Sequence, residues 1–401
     1  KLIMFSPWRV PLTTLARIDR CAAARRPKNI TLSDIEGLML RKPKQARPEA
    51  FVKEAQWLQE EVPLRVAHLL VGFHRLPFIA MRCEPLAQVW SIYLEDFEHI
   101  SALPRARSGE DVLDFKESLK TSQEKRAGVV AATRQAVGEL QRFPDVRGNL
   151  ETFLDKVFLT RIGRLLLEDH FIACVEHAAS SSDPSSMPQS DGIVTELKLA
   201  PLLRTVADGV QQLSDEIYGQ RAEVNIVEVG EATVHSIPRY LYFVFKEVMK
   251  NAIKATMEKH LVNPPPLQVT VVTGTYDVQV KISDRGGGMP RNVLKHIWRY
   301  GYSGFTSSHP ESGSAFGAMG DFSADSQHEL SGFGVGLPLS RLYTRYLGGD
   351  IQISQVLGHG TEVSIILSRH GQREEDDVGA SEDYDGDIDS FQGGARSSIM
   401  A

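Results

Sequence analysis

The sequence lacks several features that would classify a chain of this length at once. No run of about eighteen apolar residues occurs, so it predicts no membrane-spanning helix. Three cysteines, Cys21, Cys83 and Cys174, lie far apart and fit neither a disulfide framework nor a CxxC metal site, which favours a reducing compartment. The net charge of -6, with no basic stripe against it, argues against nucleic acid as a partner.

The best-known nucleotide-binding signatures are absent as well. The chain has neither the GxGxxG spacing of dinucleotide-binding folds nor the GxxxxGK[ST] of P-loop proteins. The HRD and DFG motifs of ordinary protein kinases are also missing. What remains is a chain of 401 residues with 42% hydrophobic and 24% charged residues, long enough for two domains that each bury a core.

The first residues form a basic, acid-poor segment. Up to residue 28, many Lys and Arg side chains face a single acid, Asp19, among Ser, Thr, Ala and Leu. This composition is typical of an organellar transit peptide, and we expect a flexible leader over residues 1–47. A disordered basic tail is the alternative, and a first residue of Lys rather than Met leaves open whether the natural start is present.

Residues 48–178 predict a helical domain. Phe51, Ala55, Leu58 and Val62 recur at the three- to four-residue spacing of an amphipathic helix. Further helices are predicted at 85–100, 109–142 and 146–176, separated by proline-containing breaks. Long helices with short connections favour an up-and-down four-helix bundle. The Ser/Pro/Asp-rich residues 179–192 that follow predict a linker or surface loop.

Residues 193–370 change to a mixed pattern, so the fold class we predict is α+β. In the strand 277–283, Val278, Val280 and Ile282 alternate with polar residues. The predicted product is an α/β sandwich with a mixed sheet and helices on one face. Its predicted helices are 199–218, 238–260 and 337–347, and its strands are 224–229, 232–237, 267–273, 277–283, 350–355 and 361–367. The acidic tail 371–401 is predicted to be disordered, with a functional acidic tail as the alternative.

The predicted helix 238–260 carries a polar stripe. Glu247, Asn251, Lys254 and Glu258 are spaced so that they share one face. The Asn251 amide oxygen suits a Mg²⁺ ion that already carries triphosphate oxygens, and Glu247 could accept a hydroxyl proton from a substrate. The alternative for this stripe taken alone is a solvated polar face.

Three glycine-containing motifs follow this helix and favour a nucleotide site. Asp284 ends a predicted strand and could accept the adenine amino group, while Gly286 and Gly288 remove side chains that would block the base. Gly332-x-Gly334-x-Gly336 precedes a helix, whose N-terminal amides could meet phosphates. Thr361, after Gly358-x-Gly360, adds a hydroxyl. Each motif alone is weak, but their order together predicts an ATP site.

These motifs resemble the Bergerat (GHKL) ATP-binding fold, in particular its mitochondrial branch, the pyruvate and branched-chain 2-oxoacid dehydrogenase kinases. The similarity rests on residues 247–258, 283–288 and 332–343. The helical half is similar too, in residues 60–68, 72–78, 153–163 and His170. The resemblance covers about Phe51 to Arg369.

The resemblance implies a role for each matching residue. Glu247 would be the general base, with His170 beside it to tune it, and Asn251 would bind Mg²⁺. A potassium site, where the family has one, would use the backbone carbonyls of Ile297, Arg299, Tyr302 and Gly334. The implied ATP-binding set is Asn251, Lys254, Asp284, Gly286, Gly288, Ser303, Gly304, Gly332, Phe333, Gly334, Val335, Gly336, Leu337 and Thr361.

The resemblance also implies a biological setting. It is that of a protein-serine kinase of the mitochondrial matrix, which uses Mg-ATP to phosphorylate and inactivate the decarboxylase component of a 2-oxoacid dehydrogenase complex. Docking on the lipoyl domain of the acyltransferase and a homodimer are implied, with residues 303–331 as a lid over the nucleotide. The sequence does not choose between the pyruvate and branched-chain complexes.

Two departures and three alternatives stay open. Tyr302-Ser303-Gly304 offers one hydroxyl where the family often has two, and no Asp-Trp pair stands near the C-terminus, which leaves the mode of docking open. A phosphohistidine kinase using His170, an ATP-driven clamp and a binding-only pseudokinase are the alternatives. The order of a helical domain before the ATP domain favours the kinase.

Overall fold

The structure is a computed structural model, and it describes residues 10–27, 30–35, 37, 47–140, 142–179, 192–302 and 334–369. The predicted linker, the predicted lid and the acidic tail therefore lie almost wholly outside the described residues. The helices are α1 Leu12–Ala24, α2 Leu32–Ile35, α3 Val52–Phe73, α4 Phe78–Met81, α5 Glu84–Ala102, α6 Gly109–Lys125, α7 Gly128–Leu140, α8 Pro144–Ala179, α9 Leu199–Tyr218, α10 Pro238–Lys259, α11 Arg291–Leu294 and α12 Gly336–Tyr346.

The N-terminal half is helical, as predicted. Helices α3, α5, α6, α7 and α8 pack around a core that includes Phe73, Trp90 and Phe153. The rings of Phe73 and Phe153 meet edge to face, with centroids 4.5 Å apart. Helix α6 begins at a capping box in which Ser108 and Asp111 exchange side-chain and backbone hydrogen bonds.

The single helix predicted over 109–142 is wrong, because the chain breaks between α6 and α7. At the break, Arg126 turns its guanidinium inward, where Nη1 lies 3.0 Å from Asp96 Oδ1 and Nη2 contacts Glu168. Arg164 bridges the same acids, at 2.5 Å from Asp96 and 2.9 Å from Glu168. We call these four residues the ionic cluster. Burial alone would raise the pKa of Asp96, but Arg164 and Arg126 outweigh it and hold that pKa at about 2.

The described residues of the predicted leader include a helix where we expected a flexible segment. Residues 12–24 form helix α1, which packs on α3 and buries Ile18 completely. The Thr14 hydroxyl donates to Glu98 at 3.0 Å, and Arg25 pairs with the buried Glu61 at 2.7 Å. The apolar side of α1 thus completes the surface of α3, a tertiary contact that a basic composition does not reveal.

The C-terminal half is the predicted α/β sandwich. Its five-stranded sheet has the order β2-β4-β5-β7-β6, with β2 and β4 parallel and the other pairs antiparallel. Helices α9, α10 and α12 pack side by side against it. A second sheet pairs β3 with β1, a strand that the sequence did not predict. The strands are β1 Thr195–Lys198, β2 Val224–Val229, β3 Thr233–Ser236, β4 Leu267–Thr273, β5 Asp277–Ser283, β6 Asp350–Val356 and β7 Gly360–Ser368.

Helix α8 ties the two halves together. The Tyr240 hydroxyl, at the start of α10, donates to the carbonyl of Ile162 in α8 at 3.3 Å. Arg239 pairs with Asp169 of α8 at 3.3 Å. Among the described residues, no helix combines the length and apolarity needed to cross a membrane.

Candidate nucleotide-binding site

Helix α10 supplies one wall of the site. It is the crossover between β2 and the parallel strand β4, which need such a connection to run in the same direction. Pro238 stands in its first turn, where its missing N–H costs no hydrogen bond. Val244, Val248 and Ala252 are buried on the helix, while Asn251 is exposed. Glu247, Asn251 and Lys254 of the polar stripe line the cavity described below.

Glu247 is buried and held by a partner that the sequence analysis missed. Lys250 Nζ lies 2.7 Å from Glu247 Oε1. Only 3% of the Lys250 side-chain surface and 4% of the Glu247 side-chain surface are exposed. A buried carboxylate needs such a charge-assisted hydrogen bond, and this one fixes where the carboxylate points. The three-residue spacing of Glu247 and Lys250 on a helix was the signal that could have revealed the pair.

The carboxylate of Glu247 also rests on the first turn of α12. A Cβ atom on Gly336 would lie 2.1 Å from Glu247 Oε2, so a side chain there would displace the carboxylate from this position. Helix α12 has eleven residues, and its N-terminal amides carry the positive end of the helix dipole. The Glu247 carboxylate thus lies where a helix end and Lys250 both favour negative charge.

Asp284 lies at the end of β5 with one oxygen bound to the backbone. Its Oδ1 accepts from the N–H of Gly286 at 2.8 Å and from that of Thr361 at 3.1 Å. Burial raises the pKa of Asp284, while these hydrogen bonds and Lys259 act in the opposite direction. The arrangement orients the carboxylate as an acceptor at the cavity wall.

The glycines after Asp284 allow close approach. A Cβ on Gly286 would lie 2.5 Å from the Cβ of Ala255 in α10, and Gly288 has a φ of +71° that favours glycine. Gln355 of β6 holds the next residue, since its Nε2 donates to the Met289 carbonyl at 2.6 Å and its Oε1 accepts from the Met289 N–H. Gln355 has no distinguishing signal in the sequence.

Most of the predicted site residues surround one cavity of about 200 Å³. Its wall combines polar groups of α10 with apolar side chains of the sheet and of α12. Besides predicted residues, Lys250, Met289, Val293, Pro338, Ile353 and Val363 contribute to it. The predicted residues that line it are Glu247, Asn251, Lys254, Asp284, Gly286, Gly288, Ile297, Tyr302, Gly334, Gly336, Leu337 and Thr361.

The other predicted residues lie elsewhere. Val335 is buried just before α12, and Arg299 is not among the residues around the cavity. Glu258 is exposed and lies 3.9 Å from Lys254. Ser303, Gly304, Gly332 and Phe333 lie outside the described residues.

His170 does not line the cavity. It is fully buried in α8, with Nδ1 2.8 Å from the Leu166 carbonyl and Nε2 accepting from the Val194 N–H at 2.7 Å. Burial lowers its pKa to about 4, so it is neutral at pH 7. With both ring nitrogens engaged by backbone groups, this geometry favours a structural role, in which His170 fixes residue 194 to the helical domain.

The oxygen donors at this cavity suit a metal ion that is bound together with a nucleotide better than one held by protein side chains alone. No cluster of three or more metal-binding acids, histidines or cysteines occurs in the described part of the chain. Asn251 presents a single neutral oxygen donor at the cavity, which suits a Mg²⁺ ion that takes its other ligands from phosphates and water. The predicted potassium ligands are partly engaged, because the Gly334 carbonyl accepts from Gly301 N–H at 2.9 Å.

Comparison with known proteins matches both halves of the chain. Residues 35–195 match the family model of mitochondrial branched-chain alpha-ketoacid dehydrogenase kinase. Residues 236–371 match that of the histidine kinase-, DNA gyrase B- and HSP90-like ATPases. The two matches fall on the helical and the sheet-containing halves respectively.

Relatives that align with most of this chain are named as mitochondrial pyruvate dehydrogenase kinases. The mitochondrial [pyruvate dehydrogenase (acetyl-transferring)] kinase of Arabidopsis thaliana is 31% identical over 330 residues, which are 80% of this chain and 86% of the relative. Isozyme 4 of Rhinolophus ferrumequinum is 30% identical, over 78% of this chain and 75% of the relative. Human isozyme 1 is 28% identical, over 78% and 72%. The chain therefore belongs to the family of the mitochondrial 2-oxoacid dehydrogenase kinases, within the superfamily of GHKL ATPases.

Proposed function

We propose that this chain is a mitochondrial protein-serine kinase that transfers the γ-phosphoryl group of Mg-ATP to the decarboxylase component of a 2-oxoacid dehydrogenase complex and inactivates it. The observation that carries the proposal is the buried, lysine-paired Glu247 at the wall of a cavity that Asp284 and Asn251 also line. Family membership supplies the class of substrate.

Adenine specificity resides at Asp284 in this proposal. The carboxylate accepts a hydrogen bond from the adenine amino group, which guanine does not offer at that position. Gly286 and Gly288 let the base lie against the backbone, and Gln355 holds that backbone in place through Met289. The apolar side chains of Ile353 and Val363 line the same cavity.

The phosphates lie between α10 and the N-terminus of α12. Asn251 would hold the Mg²⁺ ion, and a bound Mg²⁺ would supply neutralising charge for the phosphates. Lys254 and the first amides of α12 offer further positive charge toward the triphosphate. The backbone carbonyls of Ile297, Arg299, Tyr302 and Gly334 would hold K⁺ if the site takes this ion.

Glu247 takes the proton from the substrate serine. The bond between the serine oxygen and the γ-phosphorus forms while the bond to the β,γ-bridging oxygen breaks, and ADP leaves with that oxygen. Lys250 and Gly336 keep the carboxylate at one position through this step. Removal of the proton by a positioned base typically contributes a factor of about 10² to 10⁴ in rate.

Family membership supports a finer setting for this activity. We propose a location in the mitochondrial matrix, a homodimer, and docking on the lipoyl domain of the acyltransferase core. The phosphohistidine alternative is disfavoured by one observation, since His170 is fully buried and uses both ring nitrogens on backbone partners. An ATP-driven clamp remains the second candidate to be tested.

The test is transfer of label from [γ-³²P]ATP with Mg²⁺ to purified pyruvate and branched-chain dehydrogenase complexes. We expect acid-stable serine label on one complex, lost in Glu247→Gln and kept in the control Glu196→Gln, an exposed acid in β1. ATP turnover without labelled protein would instead support a clamp. Acid-labile label on the chain itself would support a phosphohistidine kinase.

A further inference from the structure

The segment 297–302 connects the nucleotide cavity to the helical domain. Ile297 and Tyr302 line the cavity, whereas Tyr300 between them is buried and is not among the residues around it. Its hydroxyl donates to Asp155 Oδ1 of α8 at 2.6 Å, and its ring lies 5.5 Å from that of Phe158, one turn further along α8. One tyrosine thus joins a cavity-lining segment to the longest helix of the other half.

The same segment contacts Gly334, close to the start of α12. Gly301 N–H donates to the Gly334 carbonyl at 2.9 Å, and a Cβ on Gly334 would lie 2.6 Å from the Tyr302 carbonyl oxygen. Gly334 lies two residues before Gly336, on which the Glu247 carboxylate rests. A continuous set of contacts therefore runs from α8, through Tyr300 and Gly334, to the start of α12.

Asp155 is a partly buried carboxylate, and the cost of its burial has to be offset by a hydrogen-bond partner. Burial raises its pKa, and among the described residues its hydrogen-bond partner is Tyr300, with Arg345 as a more distant positive charge. A phenylalanine opposite an apolar residue would fill the same space at no desolvation cost. The hydroxyl–carboxylate pair instead fixes direction and register, since a hydrogen bond is more demanding of geometry than apolar contact.

We propose that Tyr300 and Asp155 form a positioning pair through which helix α8 sets the placement of the segment 297–302 and so the affinity for ATP. The inference rests on the proposed ATP site and adds two residues that do not touch the nucleotide. It predicts that the pair acts on nucleotide binding more than on phosphoryl transfer, because Ile297 and Tyr302 of the segment line the cavity directly, whereas the Glu247 carboxylate has a further restraint in Lys250, within its own helix.

The experiment compares full-length wild type with Tyr300→Phe, Asp155→Asn, the double variant and the control Tyr276→Phe. Tyr276 is 82% exposed, so the same chemical change is made there without a buried partner. We expect Tyr300→Phe to raise the Kd and KM for Mg-ATP about tenfold, which corresponds to about 1.4 kcal/mol, with kcat within about twofold. Asp155→Asn keeps an acceptor oxygen and should have a smaller effect, and the two changes should not add.

The fluorescence of Trp298 gives a second readout that does not depend on activity. Trp298 lies two residues from Tyr300, and the Arg341 guanidinium is 4.6 Å from its ring centroid. We expect Tyr300→Phe, but not Tyr276→Phe, to shift this emission, with a Trp298→Phe background to identify it. A folded Tyr300→Phe variant with wild-type Kd and KM for ATP would overturn the proposal, as would a loss of thermal stability with the Kd unchanged.

The outcomes separate this inference from the proposed function. A wild-type chain that binds Mg-ATP but labels neither dehydrogenase complex refutes the proposed substrate, and the pair is then judged on the Kd alone. A wild-type chain that does not bind Mg-ATP overturns both. Labelling of a complex by wild type, together with an unchanged Kd in Tyr300→Phe, refutes the positioning pair and leaves the kinase proposal standing.

Discussion

Replacing Gly336 by alanine is expected to abolish most of the phosphoryl transfer without unfolding the chain. The new Cβ would lie 2.1 Å from Glu247 Oε2 and 3.0 Å from its Cδ, well inside van der Waals contact. Since Gly336 is held in the first turn of α12 and Glu247 in α10, the side chain has to give way. The carboxylate would retreat by on the order of 1 Å.

The size of the effect follows from this displacement. A misplacement of about 1 Å at a catalytic group costs about 10²-fold in rate, or about 2.7 kcal/mol of transition-state stabilisation. The retreat also disturbs the 2.7 Å contact between Glu247 and Lys250. The folded state should lose less, because alanine is the better helix former by up to about 1 kcal/mol.

The assay is the initial rate of label transfer from [γ-³²P]ATP to the dehydrogenase complex, with ATP affinity and thermal unfolding measured on the same samples. Gly138→Ala is the matched control, since Gly138 lies in helix α7 with nothing within 4 Å of its added Cβ. The control should keep full activity. We expect Gly336→Ala to lose at least about 10²-fold in kcat while its melting temperature stays within a few degrees of wild type.

A Gly336→Ala variant with wild-type kcat would refute the reasoning, because the contact with Glu247 would then be irrelevant to the reaction. A Gly336→Ala variant that loses activity together with a large drop in melting temperature would also count against the reasoning, because unfolding would then explain the loss. Glu247→Gln in the same assay sets the lower limit of the rate, and Gly336→Ala should approach it without falling below it.

Three further predictions concern binding and stability. Asp284→Asn should weaken Mg-ATP binding at least tenfold in calorimetry, because the single amide oxygen would stay with the Gly286 and Thr361 N–H groups and the amide NH2 would then face the adenine amino group; unchanged affinity would exclude the adenine role. His170 has a pKa of about 4 in the folded chain, against an ordinary value of 6.5. Its contribution to the free energy of unfolding is therefore complete above pH 6.5 and is lost as the pH falls toward 4, by up to about 3 kcal/mol. His170→Asn should flatten this part of the pH dependence of stability, measured by urea unfolding. Arg126→Met leaves two buried acids with one cation and should cost about 3 to 5 kcal/mol by urea unfolding, whereas the exposed Arg107→Met should cost little.

The sheet and its helices were predictable because their signals are local. Alternation in Val278, Val280 and Ile282 gave β5 its observed bounds, and the apolar face of α9 did the same for residues 199–218. The break between α6 and α7 was not predictable, since it depends on Arg126 reaching acids that lie far away in sequence. Strand β1 escaped for a similar reason, as it exists only through its pairing with β3.

The site shows the same division. The order of the glycine motifs predicted that Asp284, Gly286 and Thr361 belong to one site, and the three residues line one cavity. Lys250 and Gln355 were missed, because a lysine within a helix and a glutamine at a strand end have many uses. Their roles depend on where the opposite element lies, which spacing along the chain does not encode.

The ionic cluster has a consequence for how the chain can change over time. Its two arginines and two acids sum to zero charge, so replacement of all four by well-packed apolar residues would cost little or nothing. Each single step toward that state, however, leaves a buried charge without its counterpart. The intermediate sequences would be less stable, by several kcal/mol, than a chain with either the complete cluster or its complete apolar replacement. Asp96, Arg126, Arg164 and Glu168 are therefore expected to be inherited, or lost, as a unit.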